Sequence, residues 1–274
     1  MVFKKSQLGW RLLRSSITVF WKHKKLLIFP LIGRGIFFMI LLAITTLVWM
    51  VNTGIINYNR LSTREIVWIY VIVLAVLWIG NIVSAFFNAA LTACLRQEQQ
   101  GQEIRLSAGF GEAGRRFWTI FCWIIAHFTF GIFIMIFRSQ LDESGRINRL
   151  LSGLPWRTAS FLVTPLIVNQ PAGFIPTLQR SSRLMREYAG KNPRINYGYG
   201  WLSLSLRILS FVPMAVTSSP IGIVLTCILL LMVMVLFNGT AIAILQGLYQ
   251  FIAHGQTIPH FRTKDLTAAI TPKE

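Results

Sequence analysis

The chain has 274 residues, 54% of them apolar and only 13% charged, with a mean hydropathy of +0.58. That balance excludes an ordinary water-soluble domain and fits a chain that uses lipid as its solvent. The net charge of +18 suits either nucleic acid or anionic lipid, but the basic residues are divided among segments that a bilayer would separate, so no nucleic acid is expected as a partner.

In chain order, residues 1–25 read as a cytoplasmic basic amphipathic helix, 26–255 as a six-helix transmembrane domain and 256–274 as a cytoplasmic tail. At 100° per residue, Phe3, Trp10, Leu13, Ile17, Phe20 and Trp21 share one face of the region 3–24, and Lys4, Arg11, Arg14, Lys22 and Lys25 another. The first apolar run follows without a small-residue cleavage site, so it is expected to anchor itself rather than to be removed.

Crossing a hydrocarbon layer of roughly 30 Å takes about 20 apolar residues. Five runs suffice: Leu27 to Val51, Ile66 to Cys94, Phe117 to Phe137, Trp201 to Val216 and Ile221 to Leu245. A sixth, the fourth in order, is Thr158 to Pro176, short and broken by Pro165, Pro171 and Pro176; it either crosses with a kink or re-enters. The expected fold is therefore all-α, a polytopic membrane bundle of six transmembrane helices. Six crossings from a cytoplasmic N-terminus put most of the Lys and Arg residues on the cytoplasmic side, including the Arg180 to Arg194 cluster, which a re-entrant fourth segment would move outside. The positive-inside rule thus favours both termini in the cytoplasm of a prokaryotic inner membrane. A second amphipathic surface helix is predicted near 173–189, with Phe174, Leu178, Ser181, Leu184, Met185 and Tyr188 on one stripe and Arg180, Arg183, Arg186 and Glu187 opposite. Both amphipathic helices suit an anionic headgroup layer, or else pack on the bundle.

Polar groups inside apolar runs must find partners and so face protein. Asn81, Ser84, Asn88 and Thr92, spaced by three and four, form a polar seam down one side of the second span, and Asn238 offers the sixth span a matching amide. The seam is read as interhelical glue, with the lining of a substrate path as the alternative. Arg34 and Arg207 are the basic residues within spans, both near the cytoplasmic leaflet; they either snorkel to the headgroups or share one anion, a lipid phosphate or small oxyanion. His127, in the third span, is a candidate proton relay.

The stretch FFNAALTACLRQEQQGQEI, beginning at Phe86, returns as LFNGTAIAILQGLYQFIAHGQTI at Leu236. Both copies carry Phe-Asn and end in Gly-Gln-x-Ile, which reads as a duplicated two-helix hairpin or as a chance likeness of apolar text. Cys94, Cys122 and Cys227 lie in or beside apolar runs without a C-x-x-C spacing, and read as reduced core residues. Hydrolase, zinc and phosphate-loop motifs and paired carboxylates are missing, so neither enzymatic activity nor a cofactor or metal is expected.

The segments GWRLLRSSITVFWKHKKLLIFPLI, FFNAAL, FLVTPLIV, TLQRSSRLMRE and YGYGW together resemble a widespread prokaryotic family of six-helix integral membrane proteins described as a domain of unknown function. The resemblance implies a membrane address and an acidic residue after the FLVTPLIV segment; this chain has Asn169, Gln170 and Pro171 there. The expected role is a membrane component that organises lipid or assists a membrane-protein partner or a second copy of itself, the alternative being a small permease for an anion or a lipid.

Overall fold

The computed structural model describes residues 2–53, 62–141, 156–170, 172–189, 193–195, 200–217, 220–256 and 261–272; Pro171 of the fourth apolar segment and Lys191 of the Arg180 to Arg194 cluster lie outside them. The chain is all-α. Its helices are α1 (Val2–Lys22), α2 (Ile28–Asn52, entered through a 3-10 turn at Lys24–Leu27), α3 (Thr63–Gln99), α4 (Leu106–Arg115), α5 (Phe117–Leu141), α6 (Trp156–Ala159), α7 (Val163–Asn169), α8 (Phe174–Ala189), α9 (Gly200–Leu209), α10 (Val212–Thr217), α11 (Pro220–His254) and α12 (Thr263–Ala269). Three-residue strands β1 (Pro193–Ile195) and β2 (Ile270–Pro272) pair antiparallel.

Among the described residues, three segments are long and apolar enough to cross a membrane: Lys24–Leu47, Thr63–Gln99 and Ile221–His254. Phe117–Thr129, within α5, and Leu202–Thr217, across α9 and α10, are shorter apolar stretches among the described residues. The length of α3 is explicable from its start, where a capping box holds Ser62 and Glu65 to each other's backbone N–H, and its interior has no proline. Long runs of exposed apolar side chains lie at one end of α3 and α11, where Val67 to Leu74 and Ile221 to Leu229 are largely uncovered. Helices apolar on every side at the surface need a lipid-like surround. At the other end, α3 buries Ala89 to Leu95 and α11 buries Ile242 to Tyr249.

That packed end gathers the amphipathic pieces. The α1 helix buries Leu8, Leu12, Leu13, Ser16, Val19 and Phe20, leaving Trp10 and Trp21 58% and 71% exposed. This corrects the expected face: the packed stripe leaves out both tryptophans, because α1 lies against α11 and α12 as well as presenting a surface. In α8 the expected stripe holds, with Leu178, Ser181 and Met185 buried and Arg180, Arg183 and Arg186 exposed. The tail is docked: α12 buries Leu266 and Ala269, and Asp265 pairs with Arg11 of α1 at 3.2 Å.

The fourth apolar segment is no continuous span. It forms α6 and α7, of 4 and 7 residues, with a turn at 160–162 between them; α7 covers only about 10 Å. The segment is buried, with Leu162, Val163 and Val168 fully covered. Its break is possible in an apolar setting because the freed groups find partners: the Leu162 N–H donates to Ser181 Oγ at 3.1 Å, and Arg96 donates to the Val168 carbonyl at 2.8 Å. Pro171 follows the extended residue Gln170, as the restriction before proline requires. The fifth apolar run is also divided, α9 ending at a turn before Pro213 in α10.

Candidate functional site

Two glycines let four helices close around one polar relay. A Cβ on Gly33 would stand 3.2 Å from the Phe87 Cβ, and one on Gly239 3.0 Å from the Phe20 ring, so α2 meets α3, and α1 meets α11, at distances only a missing side chain permits. Beside them sit Arg34 and Asn238. The Arg34 guanidinium donates to Asn238 Oδ1, and Asn238 Nδ2 donates to Asn88 Oδ1 at 2.8 Å. The order of donors and acceptors is chemically forced. A guanidinium has only donors, so Asn238 must turn its oxygen to Arg34 and its amide nitrogen to Asn88. Asn88 in turn must present its oxygen, and its own Nδ2 is left without an acceptor among the described residues.

Asn88 itself belongs to a cavity wall. A cavity of about 350 Å³ lies between α3, α5 and the broken α6–α7 segment, and its lining includes Asn88, Trp123, His127, Trp156, Ser160 and Thr164. The volume is at the small end of the range of ligand sites. Its aromatic side is built by spacing: Trp123 and His127, one helical turn apart on α5, have ring centroids 4.8 Å apart, and Trp156 lies 6.0 Å from Trp123 and 6.4 Å from His127. No Asp, Glu, Lys or Arg is among the described residues of the lining. That described lining is mostly apolar and adds hydroxyls, the side-chain amide of Asn88 and the imidazole of His127.

The other residues singled out from sequence are distributed as follows. Ser84 and Thr92 are buried, but the Thr92 hydroxyl donates to the Asn88 backbone carbonyl, and the Asn81 amide to the Leu77 carbonyl of its own helix. Of the seam on α3, Asn88 is the member bonded to another helix among the described residues. His127 makes ring contacts and no hydrogen bond among the described residues. Arg207, on α9, is exposed and lies within electrostatic reach of Arg34. Neither arginine has a carboxylate partner among the described residues.

A second polar cluster escaped sequence reasoning. Where α7 ends, the Asn169 amide donates to Gln246 Oε1 at 3.1 Å, Gln246 Nε2 donates to Gln99 Oε1 at 3.0 Å, and Gln170 Nε2 donates to the Tyr249 hydroxyl at 3.2 Å. Gln246 and Tyr249 are fully buried. The signal was present in the repeat: counted from the Asn of each copy, Arg96 matches Gln246 and Gln99 matches Tyr249. Three of these four bind Val168, Asn169 or Gln170 directly, so both copies grip the end of the broken segment. Positions read as a polar exit are clamps.

Among known proteins, the model of a family of unknown function (DUF6159) matches residues 66–258. Both clusters apart from Arg34 fall within that range. No curated protein and no solved structure matches the chain.

Proposed function

The chain belongs to this family of unknown function, and we propose its role from the site itself. It is a non-enzymatic, multi-pass protein of the cytoplasmic membrane that holds an amphiphile of the bilayer in the cavity beside its broken fourth segment, and so organises lipid at the inner leaflet. The observation that carries this reading is the chamber of about 350 Å³, with no Asp, Glu, Lys or Arg among its described lining residues, walled by Trp123 and Trp156 and set where helices with bare apolar flanks begin to pack. Aromatic walls with a few fixed polar groups suit a partly apolar molecule.

The topology that accompanies it is six crossings with both termini in the cytoplasm. It is supported by the gathering of α1, α4, α8 and α12, with Arg11, Arg115, Arg180 and Arg262, at the end where α3 and α11 stop. Trp156 packs beside Trp123, early in α5, and Asn169 reaches the last turn of α3 through Gln246 and Gln99. The described part of the fourth segment thus serves the inner half of a crossing.

The test is the lipid content of the purified protein. Ala85 lines the cavity, and Ala85→Leu fills it. Native mass spectrometry after mild extraction should find bound lipid on the parent and markedly less on the variant; equal occupancy would refute the reading. A second reading, a small permease for an anion, is favoured by one observation, that Arg34 and Arg207 lie within electrostatic reach of each other and neither has a carboxylate partner among the described residues. Uptake of sulfate or phosphate into proteoliposomes would favour it.

A further inference from the structure

Resting on the cavity reading, we infer that the cavity recognises its occupant through a carbonyl oxygen that accepts a hydrogen bond donated by the Asn88 side-chain amide. The relay leaves no other orientation. Arg34 cannot accept a hydrogen bond, so each amide after it is turned the same way, and the last group left free among the described residues is the N–H pair of Asn88, a residue of the cavity wall. A positive charge at the head of the relay polarises both amides and strengthens the terminal donor toward an acceptor. The charge itself stays outside the chamber, behind two side chains.

An occupant must therefore bring an acceptor without bringing a net charge, since the described residues of the lining include no Asp, Glu, Lys or Arg to balance one. Trp123, Trp156 and Ile120 would cover the adjoining apolar part. The chemistry this describes is an uncharged carbonyl next to a hydrocarbon or flat ring. The ester linkage of a bilayer glycerolipid has it, and so does a free carbonyl-bearing amphiphile; the donor is the same in both cases. An unoccupied Asn88 amide would leave a polar group unsatisfied in an apolar wall, which gives the site a reason to stay filled.

Diester and diether phosphatidylglycerol share headgroup and chains and differ in the carbonyl, so nanodiscs of each isolate the contact. The parent should melt about 3 °C higher in diester than in diether lipid, the shift expected for one hydrogen bond in a chain of this size. The difference should vanish in Asn88→Leu and in Ala85→Leu; the second variant leaves the relay intact and guards against a packing defect in the first. Mass spectrometry of the extracted parent assigns the source. A glycerolipid, or a different carbonyl compound in its place, supports carbonyl recognition, whereas an occupant lacking an acceptor oxygen overturns it. Equal melting of the parent in the two lipids overturns it too, and if Ala85→Leu still loses bound lipid in that case, the cavity reading survives without it. Absence of any occupant from the parent in both lipids removes the cavity reading itself.

Discussion

The side-chain amides of Asn88 and Asn238, which occupy the same position in the two copies of the repeated Phe-Asn motif, bond to each other at 2.8 Å. The copies therefore meet at corresponding residues. They also end alike, because Gly101 and Gly255, the glycines of the two Gly-Gln-x-Ile exits, both have positive φ, +69° and +65°. A positive-φ glycine ends many unrelated helices, so the contact between the two asparagines is the feature that fits a duplicated hairpin.

The two asparagines should not be equivalent in energy. Asn88→Leu removes one interhelical bond and should cost about 0.5 to 2 kcal/mol. Asn238→Leu removes that bond and the acceptor of Arg34, stranding a half-buried charge, so its cost should be clearly larger. Detergent melts of both single variants and the double variant provide the comparison; a double variant as damaged as the two singles summed would mean that the relay is not one unit.

Gly101→Ala and Gly255→Ala should each lose about 1 kcal/mol, since their positive φ is costly for any residue with a Cβ although space around both is open. Asn at either position should recover part of the loss. Unchanged melting in the alanine variants would show that the two helix ends are free to adopt another conformation.

The clamp on the fourth segment makes its own prediction. Gln246 is fully buried and holds both Asn169 and Gln99, so Gln246→Leu should loosen the end of α7, by about 1 to 3 kcal/mol for buried amides left unpaired. Hydrogen exchange at residues 163–169 should rise with little change in the first half of α11. Protection unaltered in α7 would mean that Leu162, Val163 and Val168 hold it by packing alone.

Docking of the C-terminal helix rests on a pair that is half wet. Arg11 is 54% exposed and Asp265 6% at the side chain, so Arg11→Ala should cost only about 1 kcal/mol yet speed proteolysis at Arg262 and Lys264. A cleavage rate equal to the parent's would assign the docking to Leu266 and Ile270 instead.

Hydropathy and periodicity carried the long helices, the α8 stripe and the pairing of Asn88 with Asn238, because those features depend on local spacing and on the intolerance of lipid for an unpaired amide. They carried less where three-dimensional packing decides. The buried face of α1 omits Trp10 and Trp21 because a neighbour, α11, and not the bilayer alone, selects it. The cavity could not be read at all: Asn88, His127 and Thr164 lie far apart in sequence and meet only because the fourth segment breaks at residues 160–162. The break itself was foreshadowed by its prolines, but its buried partners, Ser181 and Arg96, belong to other helices.

The central claim is an occupied cavity at Asn88, and a density map of the protein in native-lipid nanodiscs tests it most directly. The account predicts elongated density alongside Trp123 and Trp156 with an oxygen within about 3 Å of Asn88 Nδ2, the distance of a hydrogen bond. A cavity that is empty or collapsed, with Asn88 Nδ2 bonded to another side chain of the protein, would contradict it.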